Sequence, residues 1–281
     1  MKHYLSSVLA SLLLGSASWA YDFSFTTAEG FTGQGVTLNG QNGWTSSTST
    51  LVNTSTELLY MGGQFNNALY TGESFDTNNG AITMTSNFRF NFIGSANTDT
   101  LNVFNLYDTT DGKSGGNMAR VYFRYVHASQ NWRLRYARYD GWDGADGSMY
   151  STNVFSMADI GMTPGSDNFS DELSLSWVFE KGVDANNWSS SISLTNVTTG
   201  TAIDLNYTDG TTHTKTNVIV SSQFHVEDSL ETQITTGGSS DLQYAQIFDY
   251  GTSSAVPETS TYSLIFGSLM LGYVMIRHRK A

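Results

Sequence analysis

The chain has 281 residues, with 13 basic against 25 acidic side chains and a formal net charge of −12. An acidic surface repels phosphate backbones, which excludes nucleic acid as a partner. With no cysteine, disulfides and thiolate metal sites are excluded as well, so packing and backbone pairing must hold the fold.

At the N-terminus, Lys2 and His3 precede an apolar run from Val8 to Leu14. Ala17-Ser18-Trp19-Ala20 then places small residues at the two positions a signal peptidase reads. The pattern predicts a secretory signal over residues 1–20, too short for a stable membrane span, with a mature chain starting at Tyr21.

Residues 21–250 alternate apolar and polar positions in short runs, with Gly, Asn and Asp clusters between them. Charged residues make up only 14% of the chain while Ser, Thr and Asn abound, so the solvent faces are hydroxyl- and amide-rich. The predicted strands are Asp22–Phe25, Glu57–Met61, Ala81–Ile93, Leu101–Tyr107, Ala119–Val126, Trp132–Tyr139, Leu173–Phe179, Ser190–Leu194, Val218–Val226 and Leu242–Tyr250. Asn78-Asn79-Gly80 is a turn signal ahead of the third of these. In Leu101–Tyr107, period-two counting sets Leu101 and Val103 against Asn102 and Phe104. No long helical pattern interrupts the set, which fits one all-β domain built as a two-sheet antiparallel sandwich.

Ala119–Val126 and Trp132–Tyr139 form a predicted hairpin around Ala128-Ser129-Gln130-Asn131, and it gathers Arg120, Arg124, Arg133, Arg135 and Arg138. Val121, Phe123, Tyr125, Trp132, Leu134 and Tyr136 are assigned to the core face. The opposite face then holds Arg120, Tyr122, Arg124, Arg133, Arg135 and Tyr139. Guanidinium groups fork onto carboxylates and sulfates, and Tyr rings stack on the apolar faces of sugars. Tyr122, Arg124, Arg133, Arg135, Tyr139 and the nearby Trp142 are therefore candidate ligand-binding residues for an acidic polysaccharide. The plainer alternative is a solvated face whose arginines pair with neighbouring aspartates.

The following loop, Asp140 to Gly147, offers Asp140, Asp143 and Asp146 as candidate Ca²⁺ ligands, since Ca²⁺ takes six to eight oxygens. Their three-residue spacing departs from an EF-hand, and Asp-Gly is also an ordinary turn dipeptide. A catalytic constellation is not visible. Asp171-Glu172 and Glu227-Asp228 are adjacent, so on a strand they point to opposite faces and cannot flank one glycosidic bond. The five histidines show no metal-ligand spacing, and no nucleophile elbow or phosphate loop occurs. Asn-x-Ser/Thr sites, such as those at Asn168, Asn187, Asn196 and Asn206, are expected by chance in so Asn-, Ser- and Thr-rich a chain.

After a short spacer at 251–255, Val256-Pro257-Glu258 precedes an uncharged apolar segment at 262–276, and Arg277, Arg279 and Lys280 close the chain. As a helix, that segment rises roughly 22 Å, short of the roughly 30 Å hydrocarbon core. Snorkelling of the Arg277 and Arg279 stems extends its reach, and the basic end predicts a cytoplasmic C-terminus. A buried core helix is the alternative, but such a helix shows a polar face and this one has none.

Residues 256–281 resemble a PEP-CTERM sorting signal, a polar Pro-Glu-Pro motif followed by a membrane helix and an Arg-rich end. Val256, Pro257, Glu258, Arg277, Arg279 and Lys280 carry the likeness, and Thr259 departs from it where the family usually has its second Pro. The resemblance implies export by a Gram-negative bacterium that makes extracellular polysaccharide, processing by an exosortase, and membrane anchoring before processing. The body resembles concanavalin A-like jelly rolls of lectin and laminin-G type, on Leu38-Asn39-Gly40-Gln41-Asn42-Gly43-Trp44, on Leu194 to Gly200, and on Ile247-Phe248-Asp249-Tyr250. That likeness implies a sandwich with a sugar-receiving face. The expected function is a non-catalytic, lectin-like protein of the cell surface or matrix. The alternatives are an adhesive matrix protein without sugar affinity, and a glycoside hydrolase or polysaccharide lyase.

Overall fold

The structure, a computed structural model, describes residues 19–62, 66–75, 81–94, 98–108, 117–138, 149–152, 154–164, 166, 168–181, 187–205, 207–208, 214–215, 217–221, 230–236 and 242–254. Among these, the strands are β1 (Trp19–Phe23), β2 (Gln34–Thr37), β3 (Trp44–Ser46), β4 (Thr50–Asn53), β5 (Leu58–Gly62), β6 (Asn67–Phe75), β7 (Ile82–Phe92), β8 (Thr98–Asp108), β9 (Asn117–Val126) and β10 (Asn131–Arg138). They continue with β11 (Met149–Thr152), β12 (Phe155–Ser156), β13 (Leu173–Lys181), β14 (Asn187–Asn196), β15 (Thr201–Ile203), β16 (Tyr207–Thr208), β17 (Thr214–Lys215), β18 (Asn217–Ser221), β19 (Leu230–Thr236), β20 (Leu242–Ile247) and β21 (Tyr250–Ser254). No helix among the described residues is long and apolar enough to cross a membrane.

The strands form two antiparallel sheets. Sheet A runs β15-β14-β13-β7-β20-β5-β4-β2, with β21 also on β7, β1 on β21 and β18 on β14. Sheet B runs β17-β16-β11-β10-β9-β8-β19-β6-β3, with β12 on β10. The fold is thus an all-β, two-sheet antiparallel sandwich, as the alternation predicts. The Asn78-Asn79-Gly80 turn signal lies outside the described residues.

Period-two strands bury one face each. On its inner face β7 buries Ile82, Met84, Ser86, Phe88, Phe90 and Phe92, with Asn91 buried as well near its end, and β13 buries Leu173, Leu175 and Trp177. Their partners across the sandwich come from β9 and β10. Phe88 lies 5.6 Å from Phe123, and Phe90 lies 5.2 Å from Trp132 at 77°, an edge-to-face contact. A second aromatic cluster closes the other end, where Trp44 meets Phe23 at 5.6 Å, Tyr70 at 5.3 Å and Tyr250 at 5.7 Å. The Leu38–Trp44 segment serves this cluster: Gly40 N–H donates to the Trp44 carbonyl and Gln41 Nε2 to the Thr37 carbonyl, fixing the turn that delivers the indole.

Two predicted strands differ in detail. Leu101 and Val103 are buried as expected, but Phe104 is fully buried beside them. Register shifts between Asn102 and Phe104 mark a bulge, which turns Phe104 inward to meet Trp177 at 6.4 Å. Leu242–Tyr250 is not one strand. It breaks at Phe248-Asp249, where the Asp249 carboxylate accepts from Asn87 N–H (2.6 Å) and Asn87 Nδ2 (2.7 Å). The break lets β20 pair with one half of β7 and β21 with the other. Burial raises the Asp249 pKa above the usual carboxylate range, against the lowering effect of the Asn87 bonds.

Candidate functional site

The β9–β10 hairpin turns through a 3₁₀ turn at His127–Ser129 and a left-handed Gln130 (φ 52°), and pairs from Val126↔Asn131 to Ala119↔Arg138. Val121, Phe123, Tyr125, Trp132 and Leu134 are buried in the core, as predicted. Alternation therefore sends Arg120, Tyr122, Arg124, Arg133 and Arg135 to the outer face of sheet B.

Register aligns these residues into rows. Arg124 stands directly opposite Arg133, and Tyr122 opposite Arg135. The Tyr122 row continues through Asn102 of β8 to Thr235 of β19. Asn102 Nδ2 donates to Thr235 Oγ1 at 2.6 Å, and the buried Asn105 donates to the Gln233 carbonyl at 3.1 Å. The amides thus extend the cationic rows into a wider polar face. Asn102, Asn105 and Thr235 were not legible in the sequence, because they reach this face from strands far apart in the chain.

Tyr122 corrects one expectation. It lies on the outer face yet has no solvent exposure, and the Arg120 guanidinium sits over its ring at 4.7 Å. Its ring face is closed to a sugar, and its role is to hold Arg120 in place. Arg133 is the electrostatic centre of the group. Burial lowers its pKa from the ordinary value, and the neighbouring Arg135 and Arg124 lower it further. Its Nε is buried and has no hydrogen-bond partner among the described residues. A guanidinium in that setting is matched by an oxyanion, which forks onto it and offsets the mutual repulsion.

Of the other predicted site residues, Tyr139, Trp142, Asp140, Asp143 and Asp146 lie outside the described residues, as do Val256, Pro257, Glu258, Arg277, Arg279 and Lys280. Among the described residues, no group of three or more His, Cys, Asp or Glu side chains could hold a metal ion. Asp171 is engaged structurally: its Oδ2 accepts from Asn196 Nδ2 at 2.8 Å. Gly161 must be glycine there, since φ is +71° and a Cβ would lie 2.3 Å from Asp171 Cγ. The buried Asn196 also donates to the Asp159 carbonyl at 2.9 Å, so its amide is committed to the fold and unsuited to glycosylation. Glu227 and Asp228 lie outside the described residues.

A cleft of about 420 Å³ lies beside this node, bordered by Phe155, Asp159, Asn196, Thr199, Ile203 and Asp204. Asp159 Oδ2 accepts from Ser156 N–H at 2.7 Å and Asp159 N–H donates to Ser156 Oγ at 3.2 Å, which ties the short turn at Ala158–Ile160 to β12. The cleft is built by the β12 and β14–β15 segments and has none of the arginines in its lining.

No family model matches the chain, and no curated protein matches it in sequence. Solved structures similar in chain path include lectin II from Ulex europaeus, at 11% identity over 86% of this chain and 100% of that one, with a TM-score of 0.44. A peanut lectin is similar at 12% identity over 86% of this chain and 99% of that one, with a TM-score of 0.47. So is the CBM2 module of the evolved Dit of Lactobacillus casei BL23 phage J-1, at 11% identity over 85% and 97% of the two chains, with a TM-score of 0.46.

Proposed function

We propose that the chain is an exported, surface-directed protein that binds an acidic extracellular polysaccharide, without cleaving it, through the outer face of β9 and β10. Arg133 carries this reading. It is half-buried between two like charges, directly opposite one of them, and its Nε lacks a hydrogen-bond partner among the described residues. Like charges directly across a strand pair repel, and although Asp99 of β8 stands opposite Arg124, a polyanion lying along the rows reduces the repulsion between Arg124 and Arg133. The neighbouring amides of Asn102 and Asn105 add neutral polar groups beside the charged ones. In an otherwise acidic chain, this cluster gives a polyanion a local landing site.

Export rests on the predicted signal over residues 1–20, and surface sorting on the PEP-CTERM-like tail with an exosortase and the membrane as partners. Deleting residues 256–281 is expected to release the protein into the medium; continued cell association counts against the anchor. A Ca²⁺ at Asp140, Asp143 and Asp146 is a further proposal. Its test is a thermal melt with and without chelator, and an unchanged melt over a wide calcium range retires it.

Calorimetric titration of the full chain in mild detergent against polygalacturonate, a sulfated polysaccharide and a neutral glucan tests the main reading. Saturable binding to the acidic polymers is expected, weakening as salt rises. Arg133→Ala with Arg135→Ala is expected to weaken it about tenfold or more. Absence of saturable binding to either acidic polymer overturns the proposal. Asp159 and Asp204 beside the cleft favour hydrolysis as the alternative, and release of reducing ends by the wild type but not by Asp159→Asn would establish it.

A further inference from the structure

The outer face of sheet A carries a second prepared group, formed by Arg89 of β7, Gln246 and Tyr244 of β20, and Tyr60 of β5. Arg89 stands opposite Gln246, and Gln246 opposite Tyr60. Arg89 Nε donates to Gln246 Oε1 at 2.6 Å, and the guanidinium carbon lies 5.0 Å from the Phe169 ring centre and 5.6 Å from that of Phe248. Two rings and an amide therefore fix the plane of the guanidinium, while its terminal NH₂ groups pair with no carboxylate among the described residues.

Beside it, Tyr244 is 41% exposed, and its ring centre lies 5.2 Å from that of Tyr60 with 31° between the planes. Gly62 stands directly opposite Tyr244, and a Cβ there would meet the Tyr244 ring at 3.6 Å and the Tyr60 ring at 3.7 Å. Both distances are ordinary van der Waals contact, so the Gly62 position borders the two rings, which pack against one another. Burial and the neighbouring Tyr244, which also hydrogen-bonds it, push the Tyr60 pKa up to about 12. Tyr60 therefore stays neutral at physiological pH and presents no negative charge to an anionic ligand.

We propose that this patch is a second subsite for an acidic sugar residue, with the pyranose ring on Tyr244 and Tyr60 and its carboxylate or sulfate on the Arg89 fork. One molecule then holds polysaccharide on both outer faces and bridges two chains. The outer faces of a two-sheet sandwich point in opposite directions, so one straight polymer segment cannot lie on both. The bridging rests on the arginine rows of sheet B binding polysaccharide; the subsite on sheet A stands independently of them.

The test uses the full chain in mild detergent with a galacturonate trimer for site counting and polygalacturonate for bridging. Calorimetry is expected to give two sites for the trimer. Light scattering with the polymer is expected to peak at an intermediate ratio and fall at polymer excess. Arg89→Lys with Tyr244→Ser keeps the charge but loses the planar fork and the exposed ring, and is expected to leave one site and no scattering peak. Tyr244→Ser alone, at an exposed position, is expected to weaken the patch about tenfold and guards against loss of fold in the double variant. Arg133→Ala with Arg135→Ala is expected to leave the other site and likewise abolish the peak.

Two trimer sites with full scattering in the Arg89/Tyr244 variant overturn the subsite. So does complete loss of trimer binding in the Arg133/Arg135 variant. If that variant binds as the wild type does while the Arg89/Tyr244 variant does not bind, the sheet B reading falls and the sheet A subsite stands alone. Scattering by the wild type without polymer overturns bridging, because self-association then accounts for it.

Discussion

The two outward faces of the sandwich arise from the same alternation and carry opposite chemistry. Across β7, β13 and β14, sheet A presents Thr83, Thr85, Ser174, Ser176, Ser191 and Ser193, short hydroxyl side chains that water solvates at no cost. Sheet B presents Arg120, Arg124, Arg133 and Arg135 in adjoining register positions, around a Tyr122 ring sealed from solvent. The inner faces differ far less, since both are filled with aromatic and branched side chains in one continuous core. Burial therefore constrains the inner positions of both sheets alike and leaves the outer ones free. Like charges in adjoining register positions repel one another, whereas the Ser/Thr part of sheet A, away from Arg89 and Tyr244, carries no such tension.

Trp132→Ala empties a fully buried position in contact with Phe90, Phe92 and Tyr125, and is expected to cost about 3–5 kcal/mol in a urea melt. Loss of under about 1 kcal/mol would mean that the core does not join the sheets as described. Next in size, Arg133→Ala with Arg135→Ala should lower affinity for polygalacturonate about tenfold while the melting temperature holds or rises. A melting temperature that drops in step with affinity would make the arginines structural and erase the contrast between the faces.

A smaller effect distinguishes the two ends of β7. Burial raises the Asp249 pKa in the folded chain, so its contribution to stability is fully present below the unfolded carboxylate value of about 3.9. That contribution is lost as pH rises through the folded pKa. The stability of wild type relative to Asp249→Asn should therefore decline as pH rises above the unfolded value of about 3.9 and through the raised folded one. A difference that grows with pH would contradict the raised pKa. Smallest of all, Ser191→Ala with Ser193→Ala on the exposed face of sheet A should shift stability by no more than about 0.5 kcal/mol and leave binding unchanged.

The arginine rows were largely legible because a hairpin keeps its partners within one short stretch of chain, and period two assigns each residue a face. Val121, Phe123, Trp132 and Leu134 went inward and the arginines outward as counted. Counting misplaced Phe104, since a bulge adds a residue that alternation does not register. It also made Tyr122 a binding ring, because the pattern gives a face but not what covers it. The short strands β2, β3, β4 and β15 hold too few residues to show a period at all.

From the sequence alone came an all-β body and most of the inward and outward sets of its long strands. These follow from local periodicity and composition, which need no knowledge of neighbours. The tertiary structure decided which strands adjoin, and with that which outward residues meet. Residues 60, 89, 244 and 246 come together only because β20, from the end of the chain, inserts between β5 and β7 from its first third. Long-range pairing of that kind is set by how the whole core closes, and no short window of sequence contains it.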